Sequence, residues 1–243
     1  MNKYLIEFLV RTDASTVFAP ENYWGTFPSI SAGWVMSEEN WFYKNVKNIN
    51  HLKLRGSFGL LGRDNTKPWS WLKYYNINPD KGPIFGEGGA NQSTSTHIGL
   101  PNESINRDAH WDKSYKTNFG IDLAMLKNRL SINFDGYYEW NRDMFMTRTG
   151  SEVPGTVGAR PSAENFGSVN TWGFELALNW SDKIGKDFKY SIGINTGYSD
   201  NKVLKRPFES KIPLDGTFPN QRRDRGSWGL ECIGMFRNYQ EIE

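Results

Sequence analysis

The feature that most constrains this chain is an alternation of apolar and polar residues with a period of two, which runs from Trp111 to Trp180. In its middle segment the even positions from Leu130 to Trp140 are apolar, aromatic or glycine, and the odd positions between them are mostly polar or charged. Alternate residues of an extended strand point to opposite faces. The segment is therefore predicted to be a β-strand with one apolar face and one polar face.

The same alternation predicts six further strands, three of them before residue 100 and three around the middle segment. Their apolar positions are Tyr4, Ile6, Phe8 and Val10; Ile30, Ala32 and Trp34; Leu52, Leu54, Gly56, Phe58 and Leu60; Phe119, Ile121, Leu123 and Met125; Trp172, Phe174, Leu176, Leu178 and Trp180; and Tyr190, Ile192, Ile194, Thr196 and Tyr198. The predicted fold class is therefore all-β, with about seven or eight strands.

Long and short connections alternate along the chain. The long connections are predicted near residues 12–27, 62–110, 144–169 and 200–228, and the shorter ones at 37–50, 126–129 and 181–187. An antiparallel up-and-down meander gives this order when one end of the sheet carries all the long loops, as in outer-membrane β-barrels. We therefore expect residues 1–243 to form a single partial-barrel segment with its long loops on the extracellular side.

The apolar face could contact lipid, or it could contact the second sheet of a soluble β-sandwich, which alternates in the same way. Aromatic residues make up 15% of the chain although all hydrophobic residues together reach only 37%. Aromatic side chains such as Trp34, Tyr138 and Trp172 lie at strand ends, where a bilayer interface accommodates them. Charges such as Arg55 and Asp135 lie mid-strand on the other face, which suits a water-filled lumen. These features favour a transmembrane barrel, and a soluble secreted β-sandwich that binds carbohydrate is the alternative.

The sequence holds no arrangement typical of an enzyme. Asp135 and Glu139 would lie about 13 Å apart on one strand, beyond the roughly 5–9.5 Å that glycoside hydrolysis requires. Metal-ligand spacing is absent among the residues His51, His97, His110 and Cys232. The net charge of +2 gives no reason to expect a nucleic-acid partner. We therefore expect no catalytic residues, no cofactor and no metal site.

Aromatic residues are concentrated in one short segment of the predicted loop at 62–110. They are Trp69, Trp71, Tyr74 and Tyr75. Exposed aromatic rings among polar loop residues are typical of surfaces that stack on sugar rings or dock a partner. We expect these four residues to bind substrate. The alternative is that they pack the loop onto itself or onto the rim of the barrel.

Several short sequence segments occur in order along the chain. They are Tyr4-Leu5-Ile6-Glu7-Phe8, Arg11-Thr12-Asp13-Ala14-Ser15, Phe18-Ala19-Pro20, Trp24-Gly25-Thr26-Phe27-Pro28-Ser29, Ser31-Ala32-Gly33-Trp34, Leu52-Lys53-Leu54-Arg55-Gly56-Ser57, Thr117-Asn118-Phe119-Gly120-Ile121-Asp122, Asn128-Arg129-Leu130, Asp135-Gly136-Tyr137-Tyr138, Pro154-Gly155, Asn165-Phe166-Gly167 and Gly173-Phe174-Glu175-Leu176. In order and spacing this series resembles the C-terminal half of the barrel of SusC/RagA-type TonB-dependent outer-membrane transporters.

The resemblance implies a transmembrane β-barrel of about 22 strands in the bacterial outer membrane, in contact with membrane lipid. It implies an N-terminal plug domain and a segment that contacts the TonB complex, both expected outside this chain, which would be truncated at both ends. It further implies a SusD-like surface lipoprotein as partner. The expected activity is import of an oligomeric nutrient, a glycan or a peptide, without a catalytic role for this chain.

Overall fold

The computed structural model describes residues 3–73, 75–78, 84–85, 93–94, 97–99, 104–147, 162–206 and 222. Its strands are β1 (Tyr4–Ala14), β2 (Trp24–Val35), β3 (Ile49–Arg63), β4 (Asn76–Asn78), β5 (Ile84–Phe85), β6 (Ser93–Thr94), β7 (His97–Gly99), β8 (Asp112–Met125), β9 (Leu130–Thr147), β10 (Ala163–Ile184) and β11 (Phe188–Lys205). One α-helix, α1 (Asn40–Asn45), and two 3₁₀ turns, Pro20–Asn22 and Met36–Glu38, complete the described elements.

Seven of these strands form one antiparallel sheet in the order β1-β2-β3-β8-β9-β10-β11. This is the predicted up-and-down meander. The other described sheets are only two-stranded pairs, β4 with β7 and β5 with β6. A β-sandwich needs two large sheets packed face to face, so the sandwich alternative is wrong. None of the helices within the described ranges is long and apolar enough to cross a membrane.

The strand register confirms the predicted assignment of faces. Directly paired residues of antiparallel strands carry their side chains on the same face. Phe134 of β9 pairs with Ile121 of β8 and with Leu176 of β10, all three from the predicted apolar sets. On the outer strands Ile6 and Ile192 are 78% and 62% exposed. In the described part of the chain, no protein layer therefore covers the apolar face at these positions.

The strands extend farther toward the long connections than the alternation predicted. β1 continues to Ala14 and β2 begins at Trp24, so the predicted loop near 12–27 is reduced to residues 15–23. The connections predicted near 62–110, 144–169 and 200–228 become 64–111, 148–162 and a segment that begins after residue 205. These extensions do not sustain an alternation of apolar and polar residues, so the period of two could not show them. All long connections still lie at one end of the sheet, opposite the turns at 126–129 and 185–187.

The most deeply buried side chains lie at the end of the sheet that carries the long connections. Phe18 is 1% exposed. The ring of Trp111 lies 5.4 Å from that of Phe18 and 5.3 Å from that of Phe27, measured between centroids. Burial of these rings holds the connection at 15–23 against residues 104–111 and makes this end of the sheet an ordered rim.

Candidate functional site

Three of the four predicted substrate-binding residues are described, and Tyr74 lies outside the described residues. Trp69 and Tyr75 are 54% and 56% exposed. The rings of Trp69 and Trp71 lie 6.3 Å apart between centroids, with their planes inclined by 44°. The ammonium group of Lys73 lies 6.0 Å from the centroid of the Tyr75 ring. The structure thus brings Trp69 and Trp71 together and leaves ring surface of Trp69 and Tyr75 open to solvent.

Trp71 differs from Trp69 because one face of its ring is covered by a cation. The guanidinium carbon of Arg107 lies 5.6 Å from the centroid of the Trp71 ring, within the range of a cation–π interaction. The indole N–H of Trp71 is buried and has no hydrogen-bond partner among the described residues. One face of the Trp71 ring therefore packs against Arg107, and Trp69 and Tyr75 keep accessible ring surface. Substrate binding by these aromatic residues stays a prediction.

Arg107 is held by a two-point ion pair that sequence reasoning missed. Its Nε and Nη2 donate to Oε1 and Oε2 of Glu21 at 3.0 and 3.1 Å. Its carbonyl oxygen accepts a hydrogen bond from Asn22 Nδ2 at 3.0 Å. Glu21 and Asn22 belong to the 3₁₀ turn Pro20–Asn22 in the first rim connection. Glu21 and Arg107 are 86 positions apart on different loops, and no periodic pattern relates them.

The backbone of Trp69 adopts a left-handed conformation. Its φ is +63°, a region that costs a non-glycine residue roughly 1–3 kcal/mol. The carbonyl oxygen of Trp69 accepts a hydrogen bond from the Leu72 N–H at 3.0 Å, and the Ser70 hydroxyl donates to the Lys67 carbonyl oxygen at 3.0 Å. Trp69 therefore lies within a turn that is closed by its own hydrogen bonds.

A polar network joins three strands at the same rim. The Asn165 side chain donates from Nδ2 to the carbonyl oxygens of His110 and Asp143 at 2.8 and 2.7 Å. Its Oδ1 accepts a hydrogen bond from the His110 N–H at 3.0 Å. The Oδ1 atom of Asp112 accepts one from the Phe145 N–H at 2.9 Å. The network ties the start of β8 to the end of β9 and to the irregular start of β10.

Asp112 is a buried carboxyl within this network, 8% exposed. Desolvation by burial raises the pKa of Asp112 from 3.8 to about 6. Groups that act against the rise are the Phe145 N–H, Arg63 and His110, while the charge of Asp143 adds to it. Asp112 begins β8 on the loop side of Tyr115, which pairs with Trp140, and aromatic residues at such strand ends favour the bilayer interface. It therefore lies outside the part of the strand that we assign to the bilayer.

The raised pKa of Asp112 predicts a rim that is more stable in acid. Its contribution to stability is complete below about pH 3.8 and is lost as the pH rises through about 6. A pKa change of this size corresponds to about 3 kcal/mol between the two protonation states. Asp112→Asn keeps an oxygen to accept from the Phe145 N–H and removes the charge. We expect the variant to raise amide-hydrogen protection at residues 104–112 near pH 7.5 and to abolish the difference in protection between about pH 5 and 7.5.

The measurement is hydrogen exchange of the full-length protein in detergent, corrected for the pH dependence of intrinsic exchange. Asp187→Asn, in the exposed turn at the opposite end of the sheet, should leave the pH dependence of the rim unchanged. A difference in protection between about pH 5 and 7.5 that survives Asp112→Asn would show that the pH dependence of the rim does not come from Asp112. Wild-type protection that is constant or increases with pH would contradict the prediction.

The polar face of the sheet carries ion pairs that cross strands. Arg55 Nε donates to Asp122 at 3.1 Å and its Nη2 to Asp135 at 2.7 Å, so one cation of β3 joins carboxylates of β8 and β9. Glu139 pairs with Lys116 at 3.4 Å. Mid-strand charges predicted for this face, Arg55, Asp135 and Glu139 among them, therefore form ion pairs between neighbouring strands.

Potential metal ligands among the described residues are His, Asp and Glu side chains. Within those ranges, no group of three or more His, Cys, Asp or Glu side chains is arranged to hold a metal ion. Cys232 lies outside the described residues, and only the backbone of His97 is described.

Comparison with known proteins gives one family and several relatives. The family model described as TonB dependent receptor-like, beta-barrel matches residues 2–239. The chain is 29% identical over 237 residues to TonB-dependent receptor P39 of Formosa agariphila, covering 97% of this chain and 21% of that protein. It is 31% identical over 208 residues to TonB-dependent receptor SusC of Bacteroides thetaiotaomicron, covering 84% and 20%. The chain therefore spans about a fifth of the length of these relatives.

Solved structures share the fold. The RagAB peptide importer in its open-open state matches with a TM-score of 0.71 and 23% identity over 90% of this chain and 22% of that chain. The closed-closed state matches with a TM-score of 0.68 and 23% identity over 86% of this chain and 22% of that chain. These matches confirm the partial-barrel fold that the ordered sequence segments implied.

Proposed function

This chain belongs to the family of TonB-dependent receptor-like β-barrels, and we propose that the whole protein imports an oligomeric nutrient through a bacterial outer membrane. The observation that carries the proposal is the two-faced sheet, with an exposed apolar face and a polar face of paired charges. Lipid accommodates the apolar face, and a water-filled lumen accommodates the polar face. Both require that further strands close the sheet into a barrel, so that no strand edge is left unpaired in hydrocarbon.

In this proposal the chain forms part of the wall and of the outer rim and has no catalytic role. The long connections at 15–23, 64–111 and 148–162 face the cell exterior, where Trp69 and Tyr75 contact the substrate or a SusD-like lipoprotein lid. The energy for transport comes from a TonB complex that contacts segments outside this chain. The sequence resemblance implies a glycan or a peptide as the substrate class, and one structure that shares the fold is that of a peptide importer.

Deletion of the gene and complementation with the intact gene test this proposal. Cells are incubated with two fluorescently labelled mixtures, malto-oligosaccharides and tryptic peptides of casein, and the protein is located by membrane fractionation. We expect the protein in the outer-membrane fraction and uptake of one mixture that is lost on deletion and restored on complementation. Recovery of the full-length protein in a soluble fraction, or equal uptake of both mixtures with and without the gene, would contradict the proposal.

Trp69→Ala is expected to weaken substrate capture or lid docking without reducing barrel assembly. One aromatic stacking contact contributes about 0.5–1.5 kcal/mol, which corresponds to roughly a twofold to tenfold higher half-saturation concentration. The matched control is Trp41→Ala, because Trp41 is 52% exposed and lies in α1 at the opposite end of the sheet. The measurement is the concentration dependence of uptake and the co-purification of the lipoprotein, at equal surface abundance. Unchanged uptake and co-purification would leave Trp69 only a role in loop packing.

A further inference from the structure

We propose that Glu21 and Arg107 are positioning residues that, acting through Trp71, hold the Trp69 ring in place for ligand contact. The inference rests on the proposed function, because it concerns how the aromatic surface at the rim is built. A series of contacts leads from the first rim connection to an exposed ring. The Glu21 carboxylate binds the Arg107 guanidinium, which covers Trp71, and the Trp71 ring lies beside the exposed ring of Trp69.

The first link fixes the plane of the Arg107 guanidinium. Two parallel N–H···O bonds to Glu21, at 3.0 and 3.1 Å, hold the planar guanidinium group in one orientation. A lysine ammonium could not make this two-point contact. The two side chains are 52% and 49% exposed. Exposed ion pairs add little to folding stability, so the main consequence of this pair is the orientation of the guanidinium plane.

The second link attaches this ion pair to the buried part of the rim. Asn22 Nδ2 donates to the carbonyl oxygens of Arg107 and Ala109 at 3.0 and 3.2 Å, and so fixes the backbone on which Arg107 stands. Phe18 and Ala19, in the same connection as Asn22, are 1% and 0% exposed. The carboxylate and the guanidinium are therefore both carried by backbone that is tied to a packed cluster.

The third link transmits this order to the exposed ring. The guanidinium of Arg107 covers one face of Trp71 at 5.6 Å, and the Trp71 ring lies 6.3 Å from that of Trp69. Trp69 has φ +63°, where glycine would be less strained than tryptophan. Such a conformation persists only when neighbouring groups hold it. The hydrogen bonds of the turn hold the Trp69 backbone, and contact with a held Trp71 keeps the Trp69 ring in one orientation, which reduces the entropy lost on binding.

The orientation of the two rings is measured directly by circular dichroism of the full-length protein in detergent. Two indoles at this separation couple electronically, and the spectrum of the protein minus that of Trp69→Ala isolates the signal of the pair. We expect Glu21→Gln and Arg107→Lys each to remove at least about half of this signal. The matched control is Arg129→Lys, because Arg129 is 51% exposed and pairs with Asp182 at 3.2 Å at the opposite end of the sheet. The control should leave the signal intact.

Binding of the labelled malto-oligosaccharides and tryptic casein peptides then tests whether the positioning acts through Trp69. We expect Glu21→Gln and Arg107→Lys to weaken binding about twofold to tenfold in the wild-type background and to add nothing in the Trp69→Ala background. A full ring-pair signal in both variants, or weakening that is additive with Trp69→Ala, would overturn the inference. Binding that Trp69→Ala leaves unchanged would instead overturn the proposed role of the surface, and the dichroism would still decide the positioning.

Discussion

Phe134→Arg is expected to reduce the assembled fraction of the full-length barrel strongly, whereas Asn133→Arg, one residue earlier on β9, assembles normally. Phe134 pairs with Ile121 and Leu176 on the apolar face, and its ring lies 6.2 Å from that of Phe174. An arginine that faces lipid near the middle of the bilayer costs roughly 2–4 kcal/mol. The measurement is the outer-membrane abundance of each variant and the heat-dependent mobility of the folded barrel on gels.

Asn133 is the appropriate control because it lies on the polar face, paired with Asp122 and Ala177. An arginine there meets water and a carboxylate. Asp135, the residue on the other side of Phe134, is unsuitable, because it accepts a hydrogen bond from Arg55 at 2.7 Å and a second arginine would face the first. Similar assembly defects in Phe134→Arg and Asn133→Arg would show that the assignment of the two faces is wrong.

Gly173→Ala is expected to destabilise the barrel, whereas the same substitution at Gly136 on the neighbouring strand is tolerated. A Cβ atom on Gly173 would overlap the backbone carbonyl oxygen of Tyr198 and lie 2.6 Å from the Tyr137 hydroxyl. Because the first of these atoms belongs to the backbone of β11, the strand itself must shift. Overpacking of this kind typically costs about 1–3 kcal/mol, and occasionally more.

Gly136→Ala provides the matched control, since its Cβ would meet only the ring of Phe134, at an ordinary contact distance of 3.7 Å. Its expected change in the free energy of unfolding is within about 0.5 kcal/mol. Urea unfolding of the two full-length variants in lipid vesicles gives the comparison. Equal midpoints for Gly173→Ala and the wild-type protein would contradict the close approach of Tyr198 and Tyr137.

The faces of the sheet were predictable because a strand has a period of two that apolar residues can follow. The segment from Leu130 to Trp140 shows the limit of that rule. The alternation predicts which face Asp135 occupies, but it does not predict the hydrogen bond that Asp135 accepts from Arg55, 80 positions earlier. The alternation stops before the ends of the strands, so Ala14 and Trp24 could not be recognised as strand residues. Pairing there depends on backbone hydrogen bonds, which most side chains permit.

The aromatic surface was predictable only in part. Trp69 and Trp71 stand out by composition in a polar loop, and that signal does not distinguish an exposed ring from a covered one. The distinction depends on Arg107, whose position is set by Glu21 and Asn22 in another loop. Contacts between loops are determined by the closed fold and not by local sequence, which is why neither Arg107 nor Glu21 was predicted.

The packed aromatic cluster of Phe18, Phe27 and Trp111 gives the rim a source of stability separate from that of the wall. In the proposed outer-membrane barrel the wall strands depend on hydrocarbon as the solvent for their apolar face, whereas the cluster excludes water with its own rings. A change in bilayer thickness or lipid composition therefore acts on the wall and leaves the rim packed. Conversely, loops can exchange recognition residues without changing how the strands insert, so new ligand preferences can evolve on an unaltered membrane scaffold.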